Sequence, residues 1–155
     1  MRVVLYQPQI PQNAGNIVRT CAVCGFGLVM LGPLGFHTDD RYLKRAGLDY
    51  WEGVHVEFGD NLEEYVHRGG NTYFFSSKAT KLYTEIQYRE DDLFVFGSET
   101  KGLPEKFFKK WPNDYYRIPM LPNKRCLNLA NAVSIVVYEA WRQQGFRGAD
   151  FSKNR

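Results

Sequence analysis

The sequence predicts one α/β domain built on a mostly parallel sheet with helices on both faces. Three observations carry that expectation. Strand-like and helix-like runs alternate along the whole chain, the signature of strands joined by helical crossovers. The run Leu93–Phe96 is wholly apolar, as in a strand buried on both faces. The length of 155 residues, 44% of them hydrophobic, suits a single core of modest size. No repeat, low-complexity tract or linker divides it.

The elements follow in order. Arg2–Tyr6 is a short β-branched run and reads as a strand. Gly15–Cys24 has helical spacing, with Gly25 where a helix stop belongs. Leu28–Leu31 is a strand closed by Gly32-Pro33, Asp39–Ala46 a short helix ending at Gly47, and Val54–Phe58 a strand. Asn61–Arg68 reads as a helix stopped by Gly69-Gly70. Thr72–Ser76 and Leu93–Phe96 are strands. Pro104–Lys110 is a helix with proline in its first turn, Tyr115–Ile118 a strand, and Asn128–Gln144 the longest helix.

That last helix carries two apolar stripes. Leu129, Val133, Val136 and Ala140 form one; Ala130, Val137 and Trp141 form a second, with Ile135 off both. A surface helix of a monomer needs one stripe. Two suit either a helix central to the domain or burial against the sheet on one side and a second copy on the other, and the shortness of the chain favours the homodimer.

Composition narrows the class. Twenty Lys+Arg against seventeen Asp+Glu give a formal charge of +3, which permits an RNA or phosphate partner without demanding one. The longest apolar runs fall far short of a membrane span, and the N-terminus lacks a signal-peptide pattern. A cytoplasmic protein with no membrane partner is expected. Three cysteines suit a reducing compartment. Cys21-Ala-Val-Cys24 spells C-x-x-C, but it lies deep in a helical pattern, and neither Cys126 nor His37, His55 and His67 adds metal-ligand spacing. Packing is the expected role, and no metal site is predicted.

The familiar cofactor motifs are absent. Gly25-Phe26-Gly27 lacks a third glycine and precedes a strand rather than a helix, which excludes a dinucleotide fingerprint. Gly97-Ser-Glu-Thr-Lys-Gly102 has P-loop glycine spacing, yet Leu103 and Pro104 stand where lysine and Ser/Thr must be. Three polar clusters remain at strand ends and helix starts, where open α/β sheets bind ligands. The first is Asn13–Arg19, in which Arg19 falls one turn into the predicted helix. The second is Gly97–Gly102, whose glycines imply close backbone approach. The third is Ile118–Leu129, stiffened by Pro119 and Pro122, with Asn128 at the helix start.

The order and spacing of these clusters resemble the SPOUT-superfamily RNA ribose 2′-O-methyltransferases. The similarity lies in Asn13-x-Gly15-Asn16-x-x-Arg19, in Phe96-Gly-Ser-Glu-Thr-Lys-Gly-Leu103, and in Ile118-Pro-Met120 followed by Cys126-Leu-Asn-Leu-x-Asn-Ala-Val-Ser134 and Val137-Tyr-Glu-Ala-Trp-Arg142. Tyr6-x-Pro8-x-Ile10-Pro11-x-Asn13, Pro33-Leu-Gly-Phe36 and Arg45-Ala-Gly-Leu-Asp-Tyr50 narrow the likeness to the short bacterial tRNA (cytidine/uridine) 2′-O-methyltransferases that act at the wobble nucleotide. It spans roughly residues 3 to 148.

The resemblance implies a C-terminal trefoil knot, an obligate homodimer, a tRNA partner and S-adenosyl-L-methionine as methyl donor. Around Phe75, Gly97, Ile118, Cys126 and Leu127 it implies cofactor contacts made largely by backbone, with Ile118, Met120 and Leu127 forming an apolar adenine pocket. The reaction would be an in-line displacement on an activated methyl, so the protein chiefly aligns the reactants. Arg19 and Asn13 match catalytic positions, with Glu99 and Asn128 nearby. Guanidinium stays protonated, so Arg19 is expected to clamp a substrate phosphate and stabilise the developing alkoxide. Serine often stands at the position of Cys126, and a backbone role is expected there. Many relatives carry an extra RNA-binding domain for which 155 residues leave no room.

RNA contacts are therefore expected from the domain itself. Arg41, Lys44 and Arg45 lie at i, i+3, i+4, and Lys124 and Arg125 sit within the third cluster. Lys106, Lys109 and Lys110 repeat the stripe spacing, where a solvated helix face is the commoner explanation. Two alternatives stand beside the main reading: ribosomal RNA as substrate, and an RNA-binding protein of the same fold that has lost catalysis.

Overall fold

The computed structural model describes residues 1–39, 41 and 53–152. Seven strands form one sheet: β1 (Arg2–Tyr6), β2 (Gly27–Leu31), β3 (Val56–Gly59), β4 (Thr72–Phe75), β5 (Lys81–Leu82), β6 (Leu93–Phe96) and β7 (Tyr115–Arg117). Their order is β3-β2-β1-β6-β4-β7-β5, and every pairing is parallel. The α-helices among the described residues are α1 (Pro11–Cys24), α2 (Glu105–Lys110) and α3 (Leu129–Gln143). All but Asp39 and Arg41 of the predicted helix at Asp39–Ala46 lies outside the described residues.

Alternation along the strands sorts the core into two layers. Val3, Leu5, Leu28, Met30, Phe94 and Phe96 face α1 and α3. Val4, Val29, Leu31, Phe74 and Val95 face the other way, towards Leu62, Tyr65 and Phe107 of α2. All four residues of β6 are buried, as its unbroken apolar run requires.

Several boundaries differ from the expectation, each for a local reason. Helix α1 begins at Pro11, four residues before the predicted Gly15, because proline at the first helical position is pre-set for the helix and gives up no hydrogen bond. Gly25 ends it at φ 72°, the left-handed cap that favours glycine. The predicted helix at Asn61–Arg68 is only a 3-10 turn, Leu62–Glu64. Asn61 caps that turn through Glu63 N–H, and Thr72 Oγ1 accepts from His67 N–H at 2.9 Å. Two short-range side-chain bonds thus draw the chain back towards β4 instead of extending a helix. Strand β5 and the turn Tyr83–Glu85 carried no sequence signal.

The two stripes on α3 do not have separate destinations. Leu129, Val133, Val136 and Ala140 are buried, but so are Ala130 and Val137. Helix α1 packs against α3 in the same chain, with Thr20 Oγ1 and Ser134 Oγ 3.1 Å apart at the crossing. Ala130 and Val137 are therefore buried within one protomer and do not by themselves require a second copy.

Cys21 and Cys24 are buried and unbonded to each other, as packing residues should be. Burial pushes the Cys21 thiol up to about 12 and raises Cys24 as well. Cys126 is exposed. A raised thiol pKa means the reactive thiolate is scarce below it. At pH 8 iodoacetamide should therefore modify one cysteine, Cys126, on the native chain and all three after unfolding; rapid native labelling of the pair, read by mass spectrometry, would contradict the packing role.

Candidate functional site

Strand order locates the site. From β1 the chain leaves through α1 to β2 on one side, and from β6 it leaves through α2 to β7 on the other. Neighbouring strands whose connections diverge leave a crevice beyond their carboxyl ends. A cleft of about 670 Å³ opens there and runs across the ends of β6, β4 and β7, well within the range of cofactor sites.

Three loops build the cleft. Ser76, Ser77 and Lys78 follow β4, Gly97–Leu103 follows β6, and Ile118, Met120 and Arg125–Asn128 follow β7. The β6 loop closes on itself: Ser98 pairs with Gly102, and a Cβ on Gly97 would lie 2.1 Å from the Gly102 carbonyl carbon. Gly102 itself sits at φ 63°. The close approach expected at these glycines is thus met by the loop's own backbone.

Side-chain hydrogen bonds tie the three sequence clusters together. Glu99 Oε2 accepts from Gln9 N–H at 2.8 Å and Oε1 from Ile10 N–H at 3.0 Å. Oε1 also accepts from Asn13 Nδ2 at 3.3 Å. Asn13, 6% exposed, in turn accepts at Oδ1 from Asn128 Nδ2 at 2.9 Å. Asn128 Oδ1 then caps α3, accepting from Ala130 and Asn131 N–H. Ile10, at the N-cap of α1, offers no side-chain bond, and the Glu99 carboxylate instead holds from across the crevice the two amides that lead into the helix. It places negative charge where the helix dipole favours it.

Most residues singled out in the sequence meet here. Phe75, Gly97, Ile118, Met120, Cys126 and Leu127 all line the cleft, as do Asn13, Glu99, Asn128 and Arg125. Cys126 Sγ lies 3.6 Å from Ser77 Oγ, joining the β7 and β4 loops. Arg19 does not line the cleft. Because α1 starts at Pro11, Arg19 lies in its third turn with an exposed side chain, not one turn from the N-terminus. Six residues of helix turn it roughly 120° from Asn13. Lys124 and Arg41 are exposed away from the lining, and Lys44 and Arg45 lie outside the described residues. Ser76, Ser77, Lys78 and Lys101 were missed as site residues; the strand-end rule applied to β4 would have found the first three. No group of metal-ligating side chains is present among the described residues.

Comparison with known proteins gives four findings. Residues 1–138 match the SpoU rRNA Methylase family. The chain is 45% identical to a tRNA (cytidine(34)-2′-O)-methyltransferase of Methylovorus glucosotrophus over 95% of its length and 97% of that protein's. A solved structure concerned with the 2-OH methylation of C/U34 on tRNA is 43% identical, with a TM-score of 0.87 over 94% of this chain and 97% of that one. The SpoU methyltransferase AviRb of Streptomyces viridochromogenes, solved with the cofactor AdoMet, shares the fold at a TM-score of 0.81 and 22% identity, over 96% of this chain and 59% of that one.

Replacing Glu99 by alanine removes the acceptor for two main-chain amides at the start of α1. A loss of about 1 kcal/mol in urea unfolding is expected, the usual cost of a helix cap, with Glu99→Gln in between. A Glu99→Ala variant as stable as the parent would count against the capping role.

Proposed function

The chain belongs to the SpoU rRNA methylase family, and on that premise we propose that it transfers a methyl group from S-adenosyl-L-methionine to the ribose 2′-hydroxyl of the wobble pyrimidine in the tRNA anticodon. The observation that carries the reading is the cleft at the divergence of β1 and β6, lined by the residues that the three motifs supply. Identity of 45% over nearly the full length of a relative acting on cytidine 34 supports the substrate. The lining fits the cofactor: Phe75, Ile118, Met120 and Leu127 offer an apolar wall for a purine, and the loops around Gly97 and Cys126 offer backbone groups. Bound there, the cofactor supplies a methyl activated by a sulfonium charge.

The roles of the chain's own residues follow from where they sit. Glu99, Asn13 and Asn128 act as positioning residues, because their polar atoms already hold one another and the starts of two helices. Arg19, exposed and outside the lining, meets RNA rather than cofactor; its planar fork fits a phosphate, fixing the ribose while a substrate phosphate oxygen takes the hydroxyl proton. Arg41, Lys44, Arg45 and Lys124 extend the RNA contact in the same reading.

A trefoil knot in the C-terminal third and a homodimer complete it. The knot is supported by the strand order, which inserts β4 between β6 and β7. The dimer is supported by Val23, Ile135 and Tyr138, which leave α1 and α3 with apolar side chains 53%, 36% and 44% exposed. A cytoplasmic location accords with tRNA as substrate, and no helix among the described residues is long and apolar enough to cross a membrane.

Labelled S-adenosylmethionine incubated with bulk bacterial tRNA and, separately, ribosomal RNA tests the reaction. A 2′-O-methyl pyrimidine at the first anticodon position, placed by mass spectrometry, is the expected product; label confined to ribosomal RNA would overturn the tRNA assignment. Arg19→Lys keeps the charge but loses the fork, so turnover should fall by about a hundredfold with little change in cofactor affinity. Near-normal turnover in that variant would remove Arg19 from the reacting centre.

A further inference from the structure

Resting on the methyl-transfer reading, we propose that Lys78 and Lys101 join Arg125 as a cationic rim over the cleft that grips the RNA phosphates flanking the target nucleotide. Each cation comes from a different loop: Lys78 after β4, Lys101 after β6, Arg125 after β7. All three are exposed, and all three line the cleft. Among the described residues none has a carboxylate in ion-pair reach. Glu99 is the one acidic residue of the lining among the described residues, and its oxygens accept from Gln9, Ile10 and Asn13. Three cations against one carboxylate leave the described lining net positive.

Other lysines of the chain show what a locally compensated cation looks like. On α2, Lys109 lies 3.5 Å from Glu105 and Lys110 2.6 Å from Glu63. Lys106 sits 5.2 Å over the Phe107 ring. That stripe matches the spacing of a phosphate-binding face but is occupied within the chain. The rim has no such spacing in the sequence, because the fold collects it from three loops.

The charge balance selects the ligand. S-adenosylmethionine carries two positive groups, sulfonium and ammonium, against one carboxylate, so loading the cofactor makes the cleft more positive. A single carboxylate cannot answer three cations on separate loops. A polyanion can, and phosphates on either side of a flipped-out nucleotide would meet the rim as its base and ribose enter the cleft. Lysine suits this work as a point charge on a flexible stem.

The test uses the full chain and labelled total tRNA, with dissociation constants measured between about 50 and 200 mM salt. Lys78→Ala combined with Lys101→Ala should weaken tRNA binding several-fold. The plot of log affinity against log salt should become shallower by about 0.7 for each lysine lost, the value for single-stranded contacts. Arginine at both positions should restore the slope, Lys109→Ala should leave it unchanged, and the S-adenosylmethionine dissociation constant should hold within about twofold, since the phosphate contacts are its only loss. An unchanged slope in the double variant overturns the proposal. So does weakened cofactor binding with the slope intact, which would put the lysines on the cofactor carboxylate. The same slope change on ribosomal RNA, with no methylation of tRNA by the parent protein, supports the rim while overturning the tRNA reading.

Discussion

The carboxylate of Glu99 is the fixed point of the site. It reaches across the crevice between β1 and β6 and takes the two main-chain amides that lead into α1. Through Asn13 it is connected to Asn128, and through Asn128 to the start of α3. Three side chains from distant parts of the chain are thereby set relative to one another by directional bonds. Hydrophobic packing alone could not do this. The apolar layers hold the sheet and helices together, yet they are indifferent to small sliding at the carboxyl edge, where the cleft loops begin.

The domain divides its labour by chemistry. The floor of the cleft is apolar side chain and backbone, suited to a neutral ring and to hydrogen bonding that needs no particular side chain. The charged groups stand at the mouth or along α1. A small domain proposed to take both a compact cofactor and a long polyanion gains from this separation. Cations beside the cofactor would oppose its sulfonium, whereas cations at the mouth reach a backbone that stays in solvent.

Much of the fold was legible because its signals are local. The unbroken apolar run of β6, Gly25 as a left-handed stop and Asn128 as a cap each act within a few residues, and each is where the sequence implied. One boundary was misplaced: helical spacing is clear only from Gly15, but Pro11 opens α1, which moves Arg19 to the third turn. The Asn61–Arg68 segment has helical spacing, but Thr72 and Asn61 compete for its amides with short side-chain bonds. The site was legible as three motifs. What joins them was not, because the Glu99–Asn13 and Asn128–Asn13 pairs span 86 and 115 residues and leave no periodicity. Lys78 and Lys101 were equally invisible as a pair, since only the return of the chain to neighbouring strand ends brings them together.

The position of β1 between β2 and β6 bears on how the chain is made. A nascent chain that has completed β2 can pair Arg2–Tyr6 on one side only. Its other edge waits for Leu93–Phe96, about sixty residues later, or roughly 3–12 seconds at typical ribosomal speeds. Throughout that interval Val3, Val4 and Leu5 present an open, apolar strand edge, the surface that invites pairing with another nascent copy. The burden on folding thus falls early in translation, at an edge that the finished protein conceals completely.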